Sequence, residues 1–349
     1  MVMEMDRVRK QVLMTLSSGR KSFWELINGV DASIFELVKC LDALLSAGVV
    51  KLKNGTFELA RPEEGVFFAE VRCKYCKGTG TSIKGFEDVY KKYCELVKGR
   101  PLPVIGSGYK YEYDQGIIFE DDVIRRVAFM HARGDLNSSE IIVMGDDDLI
   151  SIAIAATGLA KRILVLEIDE RIVDFINKVA VAEGFPLEAI KYDVREKIPE
   201  GVRGGFDVFV TDPIETVVGF ELFLSRCAEA LKPNGAGYFG LTRVELPLSR
   251  WQLFEKFLLD MNFVITDILR DFSSYAHGIE NPLEGIKDIL STYDRKHLEF
   301  FEKMKIEQQI IKVGPKEPWY KSSFFRVELV GEARPKHTGR VPGDIYVEV

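Results

Sequence analysis

From residue 116 to about 245, short apolar β-branched runs alternate with amphipathic helical stretches. IIVM (141–144), ILVLEI (163–168), a short run around Ile190, Lys191 and Tyr192, FDVFVT (206–211) and GAGYFGL (235–241) read as strands. Helices are expected between them at 120–133, up to Ala156, at 170–182 and at about 219–231. Strands apolar on both faces and separated by helices pack as a parallel sheet covered on both sides. The expected fold is therefore α/β, a Rossmann-like doubly wound sheet. Residues 116–330 are assigned to it, with a further helix, a strand at 263–270, a charged helical stretch at 280–309 and a last strand at 324–330.

Residues 1–61 have a different character. Met5, Val8, Val12 and Leu16 recur at helical spacing, Ser22 is placed to cap a short helix, and Asp31 a longer one ending at Ser46. VVKLKNGTFELA then carries the Asn-Gly hairpin signal. Three helices and a hairpin make a winged helix. This segment has 9 Lys and Arg against 7 Asp and Glu, but the helix that would enter a DNA groove holds Asp31, Glu36 and Asp42 with Lys39 alone. Such a face repels phosphate, so an interaction or dimerisation module, and hence a homodimer, is expected in place of nucleic-acid binding. Residues 62–115 read as a linker containing Cys73-Lys74-Tyr75-Cys76 and a Tyr-rich loop. The two cysteines have half a zinc-knuckle spacing, with Cys94 as a candidate third ligand and no closing partner, so no metal site is assigned. The polar end, 331–349, reads as a flexible tail.

Five cysteines in 349 residues, no signal-peptide apolar region and no apolar run of about 18 residues point to a cytoplasmic protein without a membrane span. A net charge of −7 disfavours polyanionic partners and suits a cationic ligand. Charged residues at 29% against 12 Asn and Gln lean towards a thermophile.

The chemistry gathers at strand ends, where a doubly wound sheet binds its ligand. The first strand runs into Gly145-Asp146-Asp147-Asp148, the second into Glu167-Ile168-Asp169, the third into Asp193, and the fourth into Asp212-Pro213-Ile214-Glu215. One such acid is commonly a helix cap; four in succession point to a site. Glu167, about 20 residues past the first turn, is placed for ribose hydroxyls. Asp193 is placed either for an adenine amino group or as a cap. Three aspartates where a dinucleotide site needs glycines would repel pyrophosphate, which disfavours NAD, FAD and nucleoside triphosphates. An adenosine ligand with a positive sulfonium fits, best in the decarboxylated form of S-adenosylmethionine, whose tail ends in a bare ammonium. Mg²⁺ at the Asp triplet is the competing reading.

GDDD after a strand, VLEIDERIVDFI and DVFVTDPIE resemble the core of the spermidine synthase-type aminopropyltransferases, most closely the branched-chain polyamine synthases, or N(4)-bis(aminopropyl)spermidine synthases. The resemblance spans nearly the whole chain and implies a methyltransferase-type Rossmann-like domain. It implies decarboxylated S-adenosylmethionine as co-substrate, no tightly bound cofactor, and spermidine or N(4)-aminopropylspermidine as acceptor. It places Asp148, with Asp147, at the aminopropyl ammonium, and Gly145, Asp146, Asp169, Asp193 and Gln115 with Glu167 around the donor. Tyr113, Asp114 and Glu215 line the amine path, and Asp212 is the base. Aspartates replace two glycines of the spermidine synthase turn, and Pro213-Ile214 replaces its serine-containing step, so the acceptor channel need not match theirs. Two other classes remain open from the residues. An amino-group methyltransferase is suggested by Thr211-Asp212-Pro213-Ile214, although the aromatic stacking residue of such enzymes is missing. A winged-helix regulator with a ligand-sensing domain is suggested by the N-terminus.

Overall fold

The computed structural model describes residues 2–61, 80–103, 113, 115–275, 286 and 313–346. The chain divides into two units, one comprising Met1–Arg72, Thr242–Arg250 and Tyr275–Lys321, the other Cys73–Leu241, Trp251–Ser274 and Ser322–Val349. The expected single span of 116–330 is thus interrupted twice, because Val244 and Trp319 join the apolar core of the first unit.

In the first unit, α1 (Val2–Ser17), β1 (Lys21–Ser22), α2 (Phe23–Gly29) and α3 (Ile34–Ser46) precede the hairpin β2 (Val50–Lys53) and β3 (Thr56–Leu59). Asn54 and Gly55 turn the hairpin with φ of 52° and 79°, the left-handed pair that a two-residue turn demands. β1, absent from the sequence reading, adds to β3 on the side away from β2. Val8, Val12, Leu16, Trp24, Leu37, Leu41 and Phe57 fill the core. Ser22 caps α2 as expected, in a capping box with Glu25. Asp31 does not cap α3. Ser33 does, because Glu36 three residues on reaches back to its N–H, whereas the residue three after Asp31 is Ile34. Glu36 is therefore buried against Ser33 and Arg243 instead of lying on an exposed acidic face.

The second unit holds a seven-stranded sheet in the order β6-β5-β4-β7-β8-β10-β9. Its strands are β4 (Glu140–Met144), β5 (Arg162–Glu167), β6 (Leu187–Lys191), β7 (Phe206–Thr211), β8 (Leu231–Thr242), β9 (Phe263–Ser274) and β10 (Lys321–Leu329). The pairs β4–β5, β4–β7, β5–β6 and β7–β8 are parallel. The strands of this parallel core are mostly apolar on both faces, as in the buried run Ile141–Met144. Helices α5 (Glu120–Ala132), α6 (Ile150–Ala156), α7 (Glu170–Glu183), α8 (Val217–Ala230) and α9 (Leu248–Asp260) follow the expected alternation. Strand order reverses between β4 and β7, which makes the gap beyond their carboxyl ends the switch point. Thr211 ties the two strands there, its hydroxyl donating to the Met144 carbonyl at 2.7 Å.

Two expectations are corrected in this unit. A helix, α4 (Glu87–Leu96), lies in the stretch read as linker. The polar end is docked, because the fully buried Arg226 donates to the carbonyls of His337 (2.8 Å) and Gly339 (2.6 Å), while Ile345 is buried. Cys73, Cys76, the Tyr-rich loop at 104–112, Asp114 and all but residue 286 of the charged stretch 280–309 lie outside the described residues.

Candidate active site

Gly145, at φ +72°, turns the chain out of β4, and its N–H donates to the Leu166 carbonyl at 2.9 Å. Three consecutive aspartates follow in a turn too tight for their side chains to point one way. The Asp146 carboxylate turns to the start of α6, where the Ser151 N–H lies 3.3 Å away. Asp147 Oδ2 accepts the Gly116 N–H at 2.9 Å, and Asp148 Oδ1 accepts the Ile118 N–H at 2.7 Å. This divergence tells against Mg²⁺ at the triplet. Among the described residues, no group of three or more His, Cys, Asp or Glu is placed to hold a metal ion. Two residues that the sequence reading missed hold the turn from behind. Tyr93 of α4 donates its hydroxyl to the Asp148 carbonyl at 2.6 Å, and Arg100 Nη2 donates to the Asp147 carbonyl at 2.7 Å.

Glu167, at the end of β5, accepts the Asp146 N–H on Oε2 (2.7 Å) and the Asp169 N–H on Oε1 (2.8 Å). Each oxygen keeps a second lone pair, so both turns are braced while acceptor capacity remains. Asp169 is wholly buried and caps α7, with Oδ1 on the Arg171 N–H (3.0 Å) and Oδ2 on Arg171 Nη2 (2.6 Å) and Gln115 Nε2 (3.0 Å). Its polar atoms are engaged by the fold, which leaves it a weaker claim to direct ligand contact than the sequence implied. Asp193 is held by the Arg195 N–H (2.9 Å) and by the Arg195 side chain. Tyr113 interacts electrostatically with Arg171 and Lys191, placing it towards the ends of β5 and β6. Glu215 is half-buried between β7 and the Thr216 cap of α8.

Across the switch point, Asp212 accepts Arg126 Nη1 on Oδ2 at 2.7 Å, while its Oδ1 is buried and has no hydrogen-bond partner. A Cβ at Gly240 would come within 2.2 Å of Oδ1, so a side chain there would displace the Asp212 carboxylate. Arg126 Nη1 also lies 3.8 Å from Asp148 Oδ2. The sequence reading missed Arg126 as well.

These acids crowd one another. Burial pushes the carboxyls of Asp146 and Asp148 well above the usual range, and Arg126 only partly offsets this for Asp148. Burial, opposed by the Gly116 N–H and reinforced by the charges of Glu167, Asp212 and Asp146, pushes Asp147 up to about 8. Glu167 is also raised by burial, against the two backbone N–H groups it accepts. For Asp169, burial raises the pKa, but the Arg171 and Gln115 hydrogen bonds outweigh it and hold the carboxyl at about 2. Asp193 is lowered in the same way, with Arg195 outweighing burial. The result is a cluster of acids whose raised carboxyls mark a place where added positive charge would be stabilised.

The strand order, the acid-lined switch point and the lack of a glycine-rich phosphate turn define a Rossmann-like fold of the methyltransferase type. Residues 88–346 match the family described as the branched-chain polyamine synthase A C-terminal domain. N(4)-bis(aminopropyl)spermidine synthase of Methanocaldococcus jannaschii is 34% identical over 322 residues, covering 89% of this chain and 85% of that one. The Thermus thermophilus enzyme of the same name is 33% identical over 334 residues, covering 94% and 88%. The crystal structure of the Thermus thermophilus branched-chain polyamine synthase, in complex with N4-aminopropylspermidine and 5'-methylthioadenosine, superposes with a TM-score of 0.80 at 31% identity. That likeness covers 97% of this chain and 91% of that one. The chain belongs to the branched-chain polyamine synthase family.

Proposed function

We propose that the protein transfers the aminopropyl group of decarboxylated S-adenosylmethionine to spermidine or N(4)-aminopropylspermidine, releasing methylthioadenosine. The observation that carries this reading is the grouping of Asp147, Asp148 and Asp212 in one electrostatic cluster at the switch point. In the relative from Thermus thermophilus, the complex holds a polyamine and the spent adenosyl product. In this chain, Glu167 with Gly145 and Asp146 is assigned to the ribose side of the donor. Asp193 is assigned to the adenine side, and Gln115 and Asp169, which are bonded to each other, to the donor as well. Asp147 and Asp148 are assigned to the aminopropyl ammonium, and Tyr113, Asp114 and Glu215 to the path of the acceptor.

An acceptor amine with a pKa near 10 is about 99.9% protonated at pH 7, which removes about 4 kcal/mol of reactive population. The Asp212 carboxylate takes that proton before attack. The freed nitrogen lone pair then forms a bond to the aminopropyl carbon beside sulfur. The carbon–sulfur bond breaks, its pair stays on sulfur, and neutral methylthioadenosine leaves. The sulfonium is already a good leaving group, so alignment and deprotonation are what the protein supplies. Incubation with spermidine and either donor, read by mass, tests the reading: about 57 Da gained per addition supports it. A gain of about 14 Da means methyl transfer, and no change favours a sensor.

We read the helix–hairpin unit as a winged-helix module that pairs two copies of the chain in the cytoplasm. Acids at Asp31 and Asp42 beside α3 and free thiols at Cys40, Cys94 and Cys227 support this. A monomer by light scattering, or a salt-sensitive shift of duplex DNA, overturns it.

A further inference from the structure

Arg125 and Arg126 are adjacent in α5, yet their surroundings differ. Arg125 stays with the acids of the helix's own first turn, Asp121 and Asp122. Arg126 is only 2% exposed. Its Nε donates to Ser273 Oγ of β9 at 2.9 Å, Nη1 to Asp212 Oδ2 at 2.7 Å, and Nη2 to Ser322 Oγ of β10 at 3.4 Å. The guanidinium carbon lies 4.9 Å from the centre of the Phe324 ring. Desolvating a guanidinium costs several kcal/mol, and an apolar side chain of like volume would fill the same space at lower cost. The fold alone gives little reason for the charge.

The reason lies in how the nearby carboxylates are occupied. Asp146 faces the Ser151 N–H, Asp147 accepts from Gly116, Asp148 from Ile118, and Glu167 from Asp146 and Asp169. Asp212 is held differently, by a side-chain cation on one oxygen, with the other buried and unclaimed. Building on the aminopropyl-transfer reading above, we propose that Arg126 is a positioning residue for that reaction. By gripping Oδ2 it fixes the orientation of the carboxylate that accepts the proton, and it holds the acceptor-side Asp212 relative to the donor-side Asp148. The serine hydroxyls orient the fork without adding charge. The guanidinium also counters the pull towards protonation that burial and the charge of Asp147 exert on Asp148.

Three variants of the full chain test this: Arg126→Met, Arg126→Lys and Ser273→Ala. For each, kcat and KM for donor and spermidine are measured from pH 6 to 9, alongside melting temperature. Arg126→Lys keeps the charge and loses the fork; kcat should fall about tenfold or more with donor KM within twofold, because small misplacements are costly. Arg126→Met should fall about 100-fold, with the acid limb of the kcat profile moved up by about one pH unit or more, the effect of removing a close opposite charge. Part of its activity then returns at pH 9. Ser273→Ala should lower kcat a few-fold at nearly unchanged melting temperature. Should Arg126→Met fail to fold, the other two decide.

Wild-type kcat and an unmoved acid limb in Arg126→Lys or Ser273→Ala would overturn the proposal. So would a folded Arg126→Met whose acid limb stays in place. Either result, with an active wild type, leaves aminopropyl transfer standing and removes Arg126 from it. A wild type that transfers nothing to spermidine removes both.

Discussion

Asp147 offers the sharpest quantitative check on the site. Burial and the neighbouring charges of Glu167, Asp212 and Asp146 outweigh the Gly116 hydrogen bond and lift its carboxyl to about 8. At pH 7 such a group is ionised in about one molecule in eleven. A donor whose ammonium needs that carboxylate charged binds through this minority, so its apparent Kd at pH 7 should be about elevenfold weaker than well above pH 8. That is about 1.4 kcal/mol. Binding at pH 7 should also release about 0.9 proton from this group, and Asp146 and Asp148, raised by burial, can only add to it. Calorimetry with decarboxylated S-adenosylmethionine, in buffers of different ionisation enthalpy, reads the release as the slope of heat against that enthalpy. Methylthioadenosine has no ammonium and should give almost none. Asp147→Asn should lower the donor's release by nearly one proton and flatten its affinity between pH 6 and 8. A zero slope for the donor, or equal slopes for the two ligands, would refute the reasoning. The sign for folding follows from the same shift. A carboxyl raised in the folded state stabilises the ligand-free protein at low pH and loses that contribution as pH rises from about 4 through about 8. The melting temperature of the ligand-free Asp147→Asn variant should lack this part of the pH dependence.

Glu167→Gln presents an amide to one of the two backbone N–H groups that the carboxylate now accepts. It should weaken methylthioadenosine binding by roughly 1–3 kcal/mol and lower the melting temperature; an unchanged Kd would put the ribose elsewhere. The decarboxylated donor should bind at least about tenfold tighter than S-adenosylmethionine, because the latter brings a carboxylate to an acidic pocket. Equal affinities by calorimetry would remove the aspartates from the donor tail. Asp212→Asn keeps shape and loses the proton acceptor, so kcat should fall about 100-fold or more and recover in part at high pH. Near-normal kcat would show that another group takes the proton.

The sheet and its acids were legible because both are local patterns. Apolar β-branched runs mark the strands, and the acid after each run marks the rim, so Asp147, Asp148, Glu167 and Asp212 follow from position in the alternation. Arg126 was not legible. In EDDVIRRVAFMHA it looks like one more charge on a helix, and its burial depends on Ser273 and Ser322, 147 and 196 residues away. The mistaken cap at Asp31 was avoidable, since Ser33-Ile34-Phe35-Glu36 carries the capping-box spacing. The tail looked mobile because its residues are polar, but the partner that holds it, Arg226, sits in a helix more than a hundred residues earlier. Composition reports solvation preference; it does not report which distant donor claims a carbonyl.

The sheet order has a bearing on how the protein is made. β10 lies between β8 and β9, although β9 is synthesised before it. Until β10 emerges, β9 has no in-sheet neighbour among the described strands, and the edge of β8 stands open. Arg126, Asp148 and Asp212 leave the ribosome early, yet the serine on β10 that clasps Arg126 follows it by 196 residues. At 5–20 residues per second that is a delay of roughly 10 to 40 s. Once Asp212 has been added, 86 residues after Arg126, the nascent chain carries its charged cluster without the final clasp, so the site matures only as the last strand slots in.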